Sequence, residues 1–157
     1  MKKILFPLFA ILFFVSCSSD DDSIPYIIPN PGPENTMKAT IGGVEYTFNS
    51  FTVETITVVE PDYSYVDLHV FAKINGDDTK TIEFNMEQME TGTETIYYFY
   101  HLNGDIEYSN DTNPNAFNTN VITSTAHNIA GTFSGQLANF DDSETVTITN
   151  GSFNINY

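Results

Sequence analysis

The chain has one cysteine, no tryptophan, no arginine and only five lysines in 157 residues. A single cysteine excludes an internal disulfide and any multi-cysteine metal site. Twenty-one Asp and Glu residues leave a formal charge of −16 at pH 7. So acidic a chain repels a phosphate backbone, which argues against nucleic-acid binding. Long apolar runs are missing too. Ile4 to Val15 is a stretch of 12 residues, where a spanning helix needs roughly 20. No window carries three turns of amphipathic helix. Ile82, Met86 and Met89 have helical spacing, but Phe84 falls off that stripe and fits strand alternation instead.

What is present is aromatic: 13 Phe and nine Tyr, far too many for a disordered acidic tail. The length suits one domain. Lys2 and Lys3 ahead of the apolar run, and Ser16-Cys17 after it, have the layout of a secretory signal. Phe14-Val15-Ser16-Cys17 resembles the lipobox of bacterial lipoproteins, with Phe14 in the slot where Leu is usual. The resemblance implies cleavage before Cys17 and acylation of its sulfur and amino group. One acyl chain binds membranes marginally, at about 0.8 kcal/mol per buried CH₂, and several together anchor stably. Ser18-Ser19-Asp20-Asp21-Asp22 resembles the short acidic export signal of Bacteroidota surface lipoproteins. It implies an outer-membrane protein facing the cell exterior, the periplasmic face being the alternative.

Residues 1–16 thus read as a signal peptide and 17–36 as a lipidated tether. Pro25, Pro29, Pro31 and Pro33 favour extended polyproline II, in which about 19 residues reach roughly 60 Å. Residues 37–157 read as one all-β domain, an antiparallel sandwich or barrel of about 8–10 strands. Gly42-Gly43, Asn75-Gly76 and Asn103-Gly104 mark turns. On Tyr63 to Ile74 strict alternation sends Val66, Leu68, Val70 and Ala72 one way and Tyr65, Asp67, His69 and Phe71 the other. Thr95 to Leu102 is apolar or aromatic on both faces, as in a central strand, with Ile96, Tyr98, Tyr100 and Leu102 on one and Tyr97, Phe99 and His101 on the other. Residues 109–119 read as a loop. Asn150-Gly151 reads as a hairpin turn or as a bulge within one long strand. Gly131 and Gly135 share the parity of inward residues, which points to bulges or close backbone approach. The stretch from Ile129 to Gly135, with Val146 to Phe153, is similar to the end of small Bacteroidota lipoprotein domains. That family brings no catalytic residue with it.

Recognisable catalytic chemistry is absent. Gly131-Thr132-Phe133-Ser134-Gly135 places Ser one position late for a nucleophile elbow and lacks its strand–turn–helix setting. His69, His101 and His127 have no metal-ligand spacing. Asp77, Asp78, Asp141 and Asp142 sit on acidic turns and are the calcium candidates. Calcium needs six to eight oxygens, no EF-hand spacing occurs, and no metal or cofactor is assigned. Without Trp, Phe and Tyr must fill the core, so Tyr63, Tyr65, Tyr97, Tyr98, Phe99, Tyr100 and Tyr108 default to core or sheet-edge packing. The outward set Tyr65, His69 and Phe71 is the ligand-patch candidate, for a glycan or a protein. The expected function is that of a lipid-anchored, non-enzymatic binding module. A periplasm-facing structural accessory is the alternative, and a small hydrolase comes third.

Overall fold

A computed structural model describes residues 33–140 and 143–157. The expected signal peptide, Cys17, the Ser18–Asp22 tract, most of the expected tether, and Asp141 and Asp142 lie outside the described residues. The described chain is almost wholly β. Its strands are β1 (Thr36–Ile41), β2 (Val44–Phe48), β3 (Ser50–Val59), β4 (Ser64–Ile74), β5 (Asp77–Glu87), β6 (Gly92–Thr93), β7 (Ile96–Asn103), β8 (Ile106–Ser109), β9 (Phe117–Ser124), β10 (Asn128–Asn139) and β11 (Thr145–Asn156). All pairings between them are antiparallel.

The strands follow the order β2-β1-β11-β10-β8-β7-β5-β4-β3, and β9 adds to β10 and carries β6. β10 is the branch point. Its residues 129–135 pair with β9, and Ala138 and Asn139 pair with β8. The sheet is open yet folded on itself. Phe84 on β5 meets Phe153 on β11 at 5.1 Å between ring centres, and Phe99 on β7 meets Phe133 on β10 at 4.9 Å. Those strands are not neighbours in the sheet, so the contacts exist only because two halves face each other as in a sandwich. β2 and β3 end the order on opposite halves, although only Asn49 separates them in the chain.

The core is phenylalanine and aliphatic. Phe48, Phe84, Phe99 and Phe153 are fully buried with Leu68, Val70, Ala72, Ile82, Met86 and Ile155. Each such side chain contributes about 1.5–3 kcal/mol of transfer free energy. The alternation on β4 holds for Leu68, Val70 and Ala72, which are inward, and for Tyr65, His69 and Phe71, which are outward and half-buried, whereas Asp67, expected outward, is buried and Val66 is only half-buried. Tight turns sit where expected. Gly42 and Gly43 both have positive φ, as a two-residue hairpin requires.

Three further expectations need correction. β7 does not alternate strictly: its register with β5 shifts between Asn85 and Met86, and Tyr97 is the extra residue. The bulge puts Ile96, Phe99 and His101 inside together and leaves Tyr97 exposed. The stretch 109–119 is not all loop, because β9 starts at Phe117, with Phe117, Thr119 and Val121 buried in alternation. Of the aromatics assigned to core or sheet-edge packing, few lie in the core. Tyr108 is the one described tyrosine that is buried, and Phe99 joins it inside, whereas Tyr63, Tyr65, Tyr97, Tyr98 and Tyr100 stay at the surface.

Asn150-Gly151 resolves as a bulge inside the unbroken β11, with Asn150 at φ 54°. Near the tether, the Asn156 backbone N–H donates to Asn35 Oδ1 and its side chain donates to Glu34. The chain therefore enters the sheet beside its own C-terminus.

Candidate functional site

The displaced tyrosines gather on the outer face of β4, β5 and β7. Cross-strand rows set their neighbours: Phe71 opposes Glu83, which opposes Tyr100, and His69 opposes Asn85, which opposes Tyr98. Tyr98 and Tyr100 are two apart on one strand, so both point outward. Their rings lie within 12° of parallel, with centres 6.3 Å apart. Beside them is a groove of about 240 Å³, lined also by Glu107, Ser109, Asp111 and Phe140. Phe140 is 99% exposed, so its ring contributes nothing to the core. Burial first, then the hydrogen bond to Glu107, pushes the Tyr100 hydroxyl well above its ordinary pKa. Burial also raises the Glu83 carboxyl, with His69 opposing the shift.

A second cleft, of about 550 Å³, opens at the other end of β4. Tyr63 and Tyr65 stack there, 6.0 Å between centres and 18° between planes. Tyr97 completes the aromatic wall, and Glu87, Glu90 and Glu94 line the remainder with threonines. Behind it the Tyr97 hydroxyl donates to Asp67 Oδ2 at 2.5 Å, and His69 Nε2 lies 3.5 Å from the same oxygen. Asp67 is buried, and its Oδ1 has no hydrogen-bond partner. Burial, then the bond and charge of Asp67, drives the Tyr97 hydroxyl far above its ordinary value.

The expected patch of Tyr65, His69 and Phe71 is therefore one face whose three residues have three different sets of neighbours. Tyr65 to Phe71 spans about 20 Å of strand. Tyr65 belongs to the acidic cleft, His69 to the Asp67 contact, and Phe71 to the Tyr100 row. Sequence reading missed Tyr97 as an outward residue, because a bulge leaves no signature in an all-aromatic run. It missed Phe140 because a single aromatic before a turn looks like the end of a strand.

The other candidates stay apart. His101 is buried, and its Nδ1 donates to the Thr81 carbonyl at 2.9 Å. Desolvation lowers its pKa. His127 is exposed in the turn before β10, and Ser134 is exposed on β10. Asp77 accepts from the Thr79 backbone N–H and hydroxyl at 2.8 and 2.7 Å, and Asp78 pairs with Lys73. Among the described residues no group of three or more His, Cys, Asp or Glu side chains is placed to hold a metal ion. Gly131 and Gly135 do mark close approach: a Cβ there would come within 2.5 Å of the Asn120 carbonyl oxygen and 2.2 Å of the Ala116 carbonyl oxygen.

No protein-family model matches the chain, and no curated protein and no solved structure matches it.

Proposed function

We propose that this chain is a lipoprotein anchored through acylated Cys17 in the outer membrane, with residues 37–157 displayed at the cell surface as a non-enzymatic glycan-binding module. The observation that carries the binding role is the parallel Tyr98–Tyr100 pair walled by the exposed Phe140. A sugar ring offers an apolar C–H face and a polar edge. Tyrosine rings suit the first, since they give apolar area with a polar tip. Glu107, Ser109 and Asp111 suit the second, as convergent hydrogen-bonding groups at the rim of the groove. The acidic character of the groove favours neutral over anionic sugars. The anchor rests on the lipobox-like residues, and the surface position on the Ser18–Asp22 tract.

A glycan panel tests the reading with the purified full chain in nonionic detergent. Binding to a neutral oligosaccharide should fall at least tenfold in Tyr98→Ala and Tyr100→Ala while the melting temperature holds. No binding across the panel, or binding that both variants leave intact, would remove the glycan role.

A further inference from the structure

The Tyr63–Tyr65–Tyr97 cleft is separate from the groove just assigned, and its chemistry differs. Its polar wall consists of carboxylates and hydroxyls alone, with no Lys, His, Asn or Gln among its lining residues. Among the described residues, Glu87, Glu90 and Glu94 take part in no ion pair. Lys73 is committed to Asp78, and Lys80 sits over the Tyr46 ring, 5.4 Å from its centre. Three carboxylates beside three tyrosine rings thus share a cleft without a cation.

Asp67 lies behind the cleft, bonded to Tyr97 and outside the residues that line it. It is 9% exposed, with one carboxylate oxygen unpartnered. Among the described residues its one neighbour within ion-pair distance is the His69 imidazole, at 3.5 Å. The Tyr97 hydroxyl spends its proton on Asp67, so toward the cleft that hydroxyl can only accept. Carboxylates, hydroxyl lone pairs and ring faces all favour the same kind of guest. Aromatic rings attract a cation within about 6 Å of their centres, most strongly one whose hydration is weak.

We infer that this cleft binds an organic ammonium group, with the rings of Tyr63, Tyr65 and Tyr97 around it and Glu87, Glu90 and Glu94 balancing its charge. A phosphate, a sulfate or an acidic sugar is repelled. An inorganic cation gains little from the rings, and the carboxylates alone do not make the site.

The test is calorimetric titration of the full chain in nonionic detergent with three probes: choline, n-butylammonium and 3,3-dimethylbutan-1-ol. The alcohol is the neutral isostere of choline, with carbon in place of nitrogen. Both cations should bind saturably in 150 mM sodium chloride, and the alcohol at least tenfold more weakly. Tighter choline assigns the larger share to the rings, and tighter butylammonium assigns it to the carboxylates. Tyr97→Leu should weaken choline about tenfold. Glu90→Gln with Glu94→Asn should do the same and flatten the salt dependence. Asn is chosen at 94 because Glu94 has φ 64°, a conformation that Asn tolerates better than most residues. A Tyr98→Ala variant should bind choline unchanged, which separates this site from the glycan groove. Equal binding of the alcohol would overturn the proposal, as would no saturable heat with either cation, or full affinity in both cleft variants.

Discussion

The Phe133 ring is packed against the backbone of Gly151. A Cβ on Gly151 would come within 2.5 Å of the ring and 2.3 Å of the Phe133 carbonyl oxygen. The two residues are register partners across β10 and β11, and so are Gly131 and Phe153. A Cβ on Gly131 would likewise meet the Phe153 ring at 2.7 Å. Each strand therefore gives a glycine to the other strand's phenylalanine, and the two rings end 6.4 Å apart. The short motifs around Gly131 and Gly151 are packing devices. Gly151→Ala forces backbone and ring apart, and overpacking of this kind costs about 1–3 kcal/mol. Its urea midpoint should fall clearly, whereas the adjacent Ser152→Ala should stay within about 0.5 kcal/mol of the parent. An unchanged midpoint in Gly151→Ala would show that the two strands separate freely.

The sheet was legible in the sequence where a long strand alternates strictly, as β4 does, and not at the start of β9, where Phe117 and Thr119 were read as loop. On β4 the alternation from Tyr65 to Phe71 named both faces correctly, the buried Asp67 excepted, because a period of two leaves no choice once Leu68 and Val70 are inside. It failed on β7, where Ile96 to Leu102 is apolar or aromatic throughout. The inserted Tyr97 shifts parity without changing composition. The candidate face was half legible for the same reason. Tyr65, His69 and Phe71 could be placed by counting. Tyr97, Tyr98 and Tyr100 could not, since their direction depends on the bulge. The folding of one sheet onto itself through β10 is set by long-range contacts such as Phe84 with Phe153, and no local pattern carries that.

His101 should make the domain acid-sensitive near neutrality. Its ring is buried against Tyr108, and that burial favours the neutral form over the opposing pull of the Nδ1–H bond to Thr81. Desolvation puts its folded pKa below the unfolded value of about 6.5. Unfolding then takes up a proton at acidic pH, and stability is full above the unfolded value of about 6.5 and lost as pH falls from there through the lower folded value. Urea midpoints between pH 5 and 8 should drop on the acid side. In His101→Gln the drop should be smaller, and the difference between the two profiles isolates this residue. Parallel profiles would assign the acid sensitivity to other groups.

The Tyr97 hydroxyl should matter more than its exposure suggests. Tyr97 is 55% exposed, yet its hydroxyl donates to the buried Asp67. Tyr97→Phe keeps the ring and removes the donor, leaving Asp67 Oδ2 with only the longer contact to His69 Nε2 at 3.5 Å. A buried acceptor that loses its partner costs about 1–3 kcal/mol, and water reaching this half-open position places the result near the lower end. In Tyr97→Phe combined with Asp67→Asn the loss should shrink, since no charge remains to be satisfied. Strictly additive losses in the double variant would mean that the two groups do not interact.

The proposed anchor makes the most direct demand on cells. With Cys17 acylated, the chain should partition into detergent and pellet with membranes, and Cys17→Ala should move it to the soluble fraction. A Cys17→Ala protein that stayed with the pellet would rule the anchor out. Surface display is a separate question, because the lipid fixes a membrane and not a side of it. Protease added to intact cells should remove the domain while a periplasmic marker survives. Replacing Asp20, Asp21 and Asp22 with Ala should protect it until the cells are lysed. Digestion of lysed cells in parallel controls for a resistant fold. Protection of the unaltered protein in intact cells, with full digestion after lysis, would place the domain in the periplasm. Glycans outside the cell would then no longer be its ligands.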